Sequence, residues 1–60
     1  MYRYMVIKVF KDGQHKAEFL NDGLDGYLLG LRTIDRDYLV FEWSELSFAY
    51  YQLGAWKAGV

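Results

Sequence analysis

The chain has 60 residues, and a domain of this size buries only about 60% of the surface that its unfolded form exposes. Seven basic and eight acidic residues give a formal net charge of −1, which argues against a free-standing nucleic-acid binder because such proteins are usually clearly basic. The sequence has no cysteine and a single histidine, His15, so it excludes disulfides, thiolate zinc sites and multi-histidine metal sites.

The first twenty residues predict a β-hairpin. Residues 2–10 are rich in Tyr, Val, Ile and Phe, and residues 15–20 form the return strand after a turn that contains Gly13. A three-residue loop with Gly13 in a left-handed conformation groups most apolar residues on one face, whereas a two-residue loop does not. We therefore expect the register that places these residues together: Met5, Ile7, Val9, Ala17 and Phe19.

The middle of the chain predicts a second hairpin. Residues 21–26 are dense in turn formers, and Tyr27–Ile34 and Tyr38–Trp43 then form two strands around residues 35–37. A short helix over residues 24–31 is the alternative. Gly26 and Gly30 weigh against it, because glycine is a poor helix former.

The last quarter of the chain predicts a helix that starts at Ser44; it ends at Gly54, or it runs on through Trp56 and ends at Gly59. Ser44 suits an N-cap position, and Glu45 in the first turn suits the helix dipole. The segment has two apolar stripes at helical spacing, where a surface helix normally has one. One stripe holds Leu46, Ala49, Tyr50, Leu53 and Trp56, and the opposite one holds Phe48, Tyr51 and Ala55.

These elements predict a single α+β domain, residues 1–60, with a four-stranded, mainly antiparallel sheet made of two consecutive hairpins. One C-terminal helix packs on one face of the sheet. The face under the helix is expected to hold Met5, Ile7, Val9, Phe19, Leu29, Leu31, Phe41 and Trp43. The other face is expected to carry Tyr4, Val6, Phe10, Leu20, Leu28, Ile34 and Val40, which is unusually apolar for a face in contact with water.

No residue pattern indicates catalysis, a cofactor or a metal, so we expect the protein not to be an enzyme. The lone His15 lies beside a predicted turn, without a nucleophile-elbow pattern elsewhere. Residues 21–26 superficially suggest a calcium loop, but Gly23 and Arg32 stand where ligands are needed. No transmembrane segment or signal peptide is predicted, and the chain begins with Met1, so we expect a cytoplasmic protein that is a complete gene product.

The surplus of apolar surface predicts a small protein-interaction module that forms a homodimer and acts as an inhibitor or modulator of another protein. A phage- or plasmid-borne inhibitor of a host defence system is one role of this kind. The residues expected to bind a partner are Tyr4, Val6, Phe10, Ile34, Val40, Phe48 and Tyr51. The alternative function is a single-stranded nucleic-acid binder that stacks bases on sheet aromatics such as Tyr2, Tyr4, Phe10 and Tyr38.

Overall fold

A computed structural model describes residues 1–59 and shows four β-strands and one α-helix. The strands form one antiparallel sheet, so the predicted α+β class and the four-stranded sheet are confirmed. The elements in chain order are β1 (Tyr4–Val9), β2 (His15–Leu20), α1 (Leu24–Thr33), β3 (Asp37–Ser44) and β4 (Ala49–Trp56). The strand order across the sheet is β2-β1-β3-β4, so β1 and β3 are the central strands.

The first hairpin has the predicted register. Phe10 donates its N–H to the Gln14 carbonyl at 2.8 Å, and Gly13 donates to the Phe10 carbonyl at 2.9 Å. Gly13 has a φ of 88°, the left-handed conformation that glycine adopts without steric cost. The resulting three-residue loop pairs Met5 with Phe19 and therefore places both side chains on one face.

The predicted second hairpin is wrong, and the helical alternative for this segment is correct. Residues 24–33 form α1, which lies in the chain between the β1–β2 hairpin and the β3–β4 hairpin. Its apolar residues Leu24, Leu28 and Leu31 recur at helical spacing, and Leu28 and Leu31 are buried against the sheet. That tertiary burial outweighs the low helix propensity of Gly26 and Gly30.

The predicted C-terminal helix is also wrong, because residues 49–56 form β4 and pair with β3. A β-bulge explains why the segment resembles a helix. Val40 pairs with Gly54 and Phe41 with Gln52, so Leu53 is an extra residue on β4. The bulge breaks the strict alternation of a strand, and the apolar residues on its two sides then fall at helical spacing.

The helix covers the face of the sheet opposite to the one predicted. Leu28 and Leu31 of α1 form the core together with Val6, Tyr38 and Val40, which are at most 7% exposed. Val6 and Val40 are direct register partners on the central strands. Of the residues expected under the helix, Leu31 alone is in this core, and Leu29 is 62% exposed. Met5, Ile7, Val9, Phe19, Phe41 and Trp43 alternate with the core residues and lie on the opposite face.

Candidate interaction surface

The sheet face opposite α1, called the open face below, is apolar across all four strands. Within residues 1–59, no helix or strand packs on it. The register places two complete rows of side chains on this face, called the central rows below. Each row has one side chain from each strand, in the order β2, β1, β3, β4. The first row is Ala17, Ile7, Leu39 and Ala55, and the second is Phe19, Met5, Phe41 and Gln52.

The charged residues of the strands lie mostly on the face that bears the helix. Strand alternation places Lys8, Lys16, Glu18 and Glu42 there. Lys8 Nζ lies 3.8 Å from Glu18 Oε1, across the β1–β2 pair. An antiparallel sheet covered on one side usually has its polar residues on the uncovered side, and this sheet has the reverse distribution.

Aromatic residues form a cluster at one end of the open face, called the aromatic cluster below. Its members on the sheet are Phe19, Trp43 and Tyr50, and Tyr2 joins them from the N-terminal segment. The ring centroids of Phe19 and Tyr50 are 6.2 Å apart although they belong to the two outermost strands. Tyr50 donates its hydroxyl to the Tyr2 carbonyl at 2.7 Å, which fixes the N-terminal segment to this end of the sheet.

The turn between β3 and β4, residues 45–48, is called the hairpin tip below and exposes two large apolar side chains. Leu46 is 97% exposed and Phe48 is 77% exposed. Phe48 has a φ of 51°, a left-handed conformation that is unfavourable for a bulky side chain. Its ring packs edge-on against Trp43, with centroids 6.3 Å apart. Ser44 Oγ accepts the Ser47 N–H at 3.2 Å, so the residue predicted to cap a helix stabilises this turn instead.

Glu42 and Tyr51 form a hydrogen-bonded pair across β3 and β4. The Tyr51 hydroxyl donates to Glu42 Oε1 at 2.5 Å, and Arg3 Nε lies 3.3 Å from Glu42 Oε2. The Tyr51 hydrogen bond, followed by the Arg3 hydrogen bond, lowers the pKa of the Glu42 carboxyl below its ordinary value. The same bond raises the pKa of the Tyr51 phenol. This arrangement favours the ionised form of Glu42 and connects the N-terminal segment to β4.

The residues predicted to bind a partner do not share one surface. Val6 is fully buried and Val40 is 7% exposed, so the prediction that they form an accessible surface is wrong. They face the helix because α1, rather than a C-terminal helix, covers the sheet. Ile34, Phe48 and Tyr51 are exposed, and their contact with a partner stays a prediction.

Tyr4 and Phe10 are half-buried. Arg3 Cζ lies 5.1 Å from the ring centroid of Tyr4, and Arg36 Cζ lies 4.2 Å from the ring centroid of Phe10. Their role in binding also stays a prediction. Sequence reasoning did not find Ile7, Leu39 and their neighbours as a candidate surface because it assigned their face of the sheet to the core.

The residues considered for chemistry have structural contacts in this fold. His15 is exposed, and its Nδ1 lies 2.9 Å from the Gly13 carbonyl within the first hairpin turn. Asn21 Oδ1 accepts the Arg3 N–H at 3.1 Å, so the loop that superficially suggests calcium binding holds the N-terminal segment. Across residues 1–59, no three His, Asp or Glu residues are grouped as metal ligands would be. In that same range, no helix has the length and apolarity needed to cross a bilayer.

Neither a protein-family model, nor a curated protein, nor a solved structure matches this chain.

Proposed function

We propose that the protein is a small protein-interaction module that self-associates and binds another protein as an inhibitor or modulator. The observation that carries the proposal is the open face. Its two central rows hold seven apolar side chains and Gln52, while the charged residues of the sheet lie mainly on the other side. A contiguous apolar patch of this kind marks an interaction site, whereas scattered exposed apolar residues are ordinary.

Association would add to the stability that the small core supplies. Within residues 1–59, the fully or nearly buried core consists of five side chains, and a core of this size supplies little stability by itself. Covering the open face removes further apolar area from water, at about 25 cal/mol per Å². A few hundred Å² of added burial is therefore comparable to the few kcal/mol that so small a core supplies.

The hairpin tip supports a contact with a second protein. Leu46 and Phe48 project at the end of the sheet, and aromatic or large apolar anchors of this kind fill pockets in partner proteins. Strained backbone persists where function requires it, and Phe48 occupies a conformation that glycine would adopt more easily. Glu45 in the same turn disfavours insertion into an anionic lipid surface, so a concave apolar pocket of a protein suits the tip better.

The nucleic-acid alternative has no observation in its favour. Tyr38, one of the aromatics expected to stack bases, is 3% exposed and stacks on Trp56. Lys8 lies beside Glu18 on the helix-bearing face, and Arg32 donates to the Tyr38 hydroxyl at 2.8 Å. The two strand lysines, Lys8 and Lys16, are thus separated from the aromatic cluster by the sheet, whereas single-strand binders combine both on one surface.

The test is affinity capture from the organism that encodes the chain, followed by reconstitution with each purified candidate. The double variant Leu46→Asp/Phe48→Asn removes both apolar anchors of the tip, and Leu29→Asp is the matched control at an exposed apolar residue of α1. We expect one protein to bind the wild type and the control, to bind the tip variant at least about tenfold more weakly, and to change activity when bound. Failure of every purified candidate to bind the wild type would contradict the modulator role.

A further inference from the structure

We infer that two copies of the chain stack their open faces about a two-fold axis, so that the two sheets form a β-sandwich with α1 of each copy on the outside. This inference rests on the proposed function and names the occupant of the open face as a second copy of the same chain. It follows from the charge, the size and the side-chain pattern of that face.

Because the central rows carry no charge, the open faces of two copies can meet without repulsion between like charges. A two-fold axis brings the same patch of both copies together, so any charged residue near the axis meets its own copy at short range. Neither central row contains a charged side chain. Asp37 lies at the end of β3, and its Oδ1 accepts the Ala58 N–H at 2.9 Å, so this carboxylate is bound within its own chain.

The size of the open face fits a small, weak dimer interface. Four strands about 4.8 Å apart and about six residues long cover roughly 19 by 20 Å, or about 400 Å² in projection. Two such faces together present about 800 Å² in projection, which places the pair among the small, weaker interfaces of less than about 1,200 Å². The molecule extends 35 by 22 by 18 Å, so the face spans most of its second-longest dimension.

The side-chain pattern indicates where the two copies meet. The aromatic cluster fills one end of the open face, and Phe19 and Tyr50 lean towards each other there. The row of Ala17, Ile7, Leu39 and Ala55 lies beyond it, with large residues on the central strands and alanines on the outer strands. Small outer residues let a second sheet approach, and Ile7 and Leu39 then interdigitate with their copies in a layer about 10 Å thick.

The test uses substitutions that block the approach of a second sheet without removing core packing. Ala55→Arg places a long charged side chain on the open face, and Ala17→Arg does the same on the opposite outer strand. Ala49→Arg is the matched control, because Ala49 is an exposed alanine of the same strand, β4, that alternation places on the helix-bearing face. Sedimentation equilibrium gives the dissociation constant of each protein, and circular dichroism verifies that each one is folded.

We expect a wild-type dimer at micromolar concentration, an increase of at least about tenfold in the dissociation constant for Ala55→Arg and Ala17→Arg, and less than about a twofold change for Ala49→Arg. A wild type that stays monomeric at millimolar concentration would overturn the inference, as would equal weakening by Ala49→Arg and Ala55→Arg. A monomeric wild type that still binds a purified partner through the hairpin tip would overturn self-association and leave the modulator role standing.

Discussion

Val6 and Ile7 are neighbours in the chain and lie on opposite faces of the sheet. Val6 is fully buried under α1, while Ile7 is half-buried on the open face. Val6→Ala should therefore lower the free energy of unfolding by about 2 kcal/mol, because it leaves a cavity in a small core. Ile7→Ala should cost about 1 kcal/mol or less when measured on the dilute monomer. Urea unfolding of both variants tests this, and a larger loss for Ile7→Ala would mean that the two faces are exchanged.

Phe48 combines an unfavourable backbone conformation with an exposed side chain. Phe48→Gly relieves a strain of about 1 kcal/mol, which offsets the lost edge-on contact with Trp43, worth about 0.5–1.5 kcal/mol. The free energy of unfolding should thus change by less than about 1 kcal/mol, although a whole aromatic ring is removed. Phe48→Val should destabilise the protein by more, because a β-branched side chain is worse in this conformation. Guanidinium unfolding decides between these outcomes, and the reverse order would contradict the strain at the tip.

The Glu42–Tyr51 hydrogen bond makes a pH-dependent contribution to stability. The pKa of Glu42 is lower in the folded state than in the unfolded chain, so its contribution is present above the unfolded pKa and is lost as the pH falls through the folded pKa. Tyr51→Phe removes the largest cause of the shift and should move the Glu42 pKa up towards its ordinary value. NMR titration of the Glu42 carboxyl carbon in the wild type and in Tyr51→Phe measures it. An unchanged Glu42 pKa would show that the bond is absent in solution.

At the scale of the elements, α1 contains two glycines whose conformation does not require glycine. A Cβ at Gly26 or Gly30 would meet nothing within 4 Å, and neither residue has a left-handed φ. Gly30→Ala and Gly26→Ala should each raise the free energy of unfolding by about 0.5–1 kcal/mol through higher helix propensity. Gly13→Ala is the control, since its φ of 88° should make the same substitution destabilising. Thermal unfolding of the three variants compares them, and stabilisation by Gly13→Ala would contradict the loop geometry.

The first hairpin was predictable from the sequence, and the other elements were not. Gly13 and the alternation of apolar residues fix the register of β1 and β2 locally, so no tertiary information is needed. The helix α1 depends on the burial of Leu28 and Leu31 against β1 and β3, which propensity does not reveal. In β4 the extra residue Leu53 imitates a helical period, and the pairing that makes the segment a strand comes from β3, several residues away.

At the scale of the whole molecule, the sequence predicted a surplus of apolar surface but placed it on the wrong side of the sheet. Apolar residues occupy both faces of the sheet, with Val6 and Val40 on one face and Ile7 and Leu39 on the other. Periodicity alone cannot tell which face the helix covers. The position of α1 between β2 and β3 makes that choice, and it leaves the less charged face of the sheet uncovered. Of the residues expected to bind a partner, Ile34, Phe48 and Tyr51 are exposed, and their contact with a partner stays a prediction.

The central claim is that a second copy covers the open face, and solvent paramagnetic relaxation of methyl groups tests it most directly. An inert gadolinium chelate relaxes methyls in proportion to their exposure, so Ile7 and Leu39 report on the open face and Leu29, which is 62% exposed, reports on the outer side of α1. We predict that Ile7 and Leu39 become shielded as the wild-type concentration rises through the micromolar range, while they stay accessible in Ala55→Arg and Leu29 stays accessible in both proteins. Relaxation of Ile7 and Leu39 that is independent of concentration and equal in the two proteins would contradict the claim.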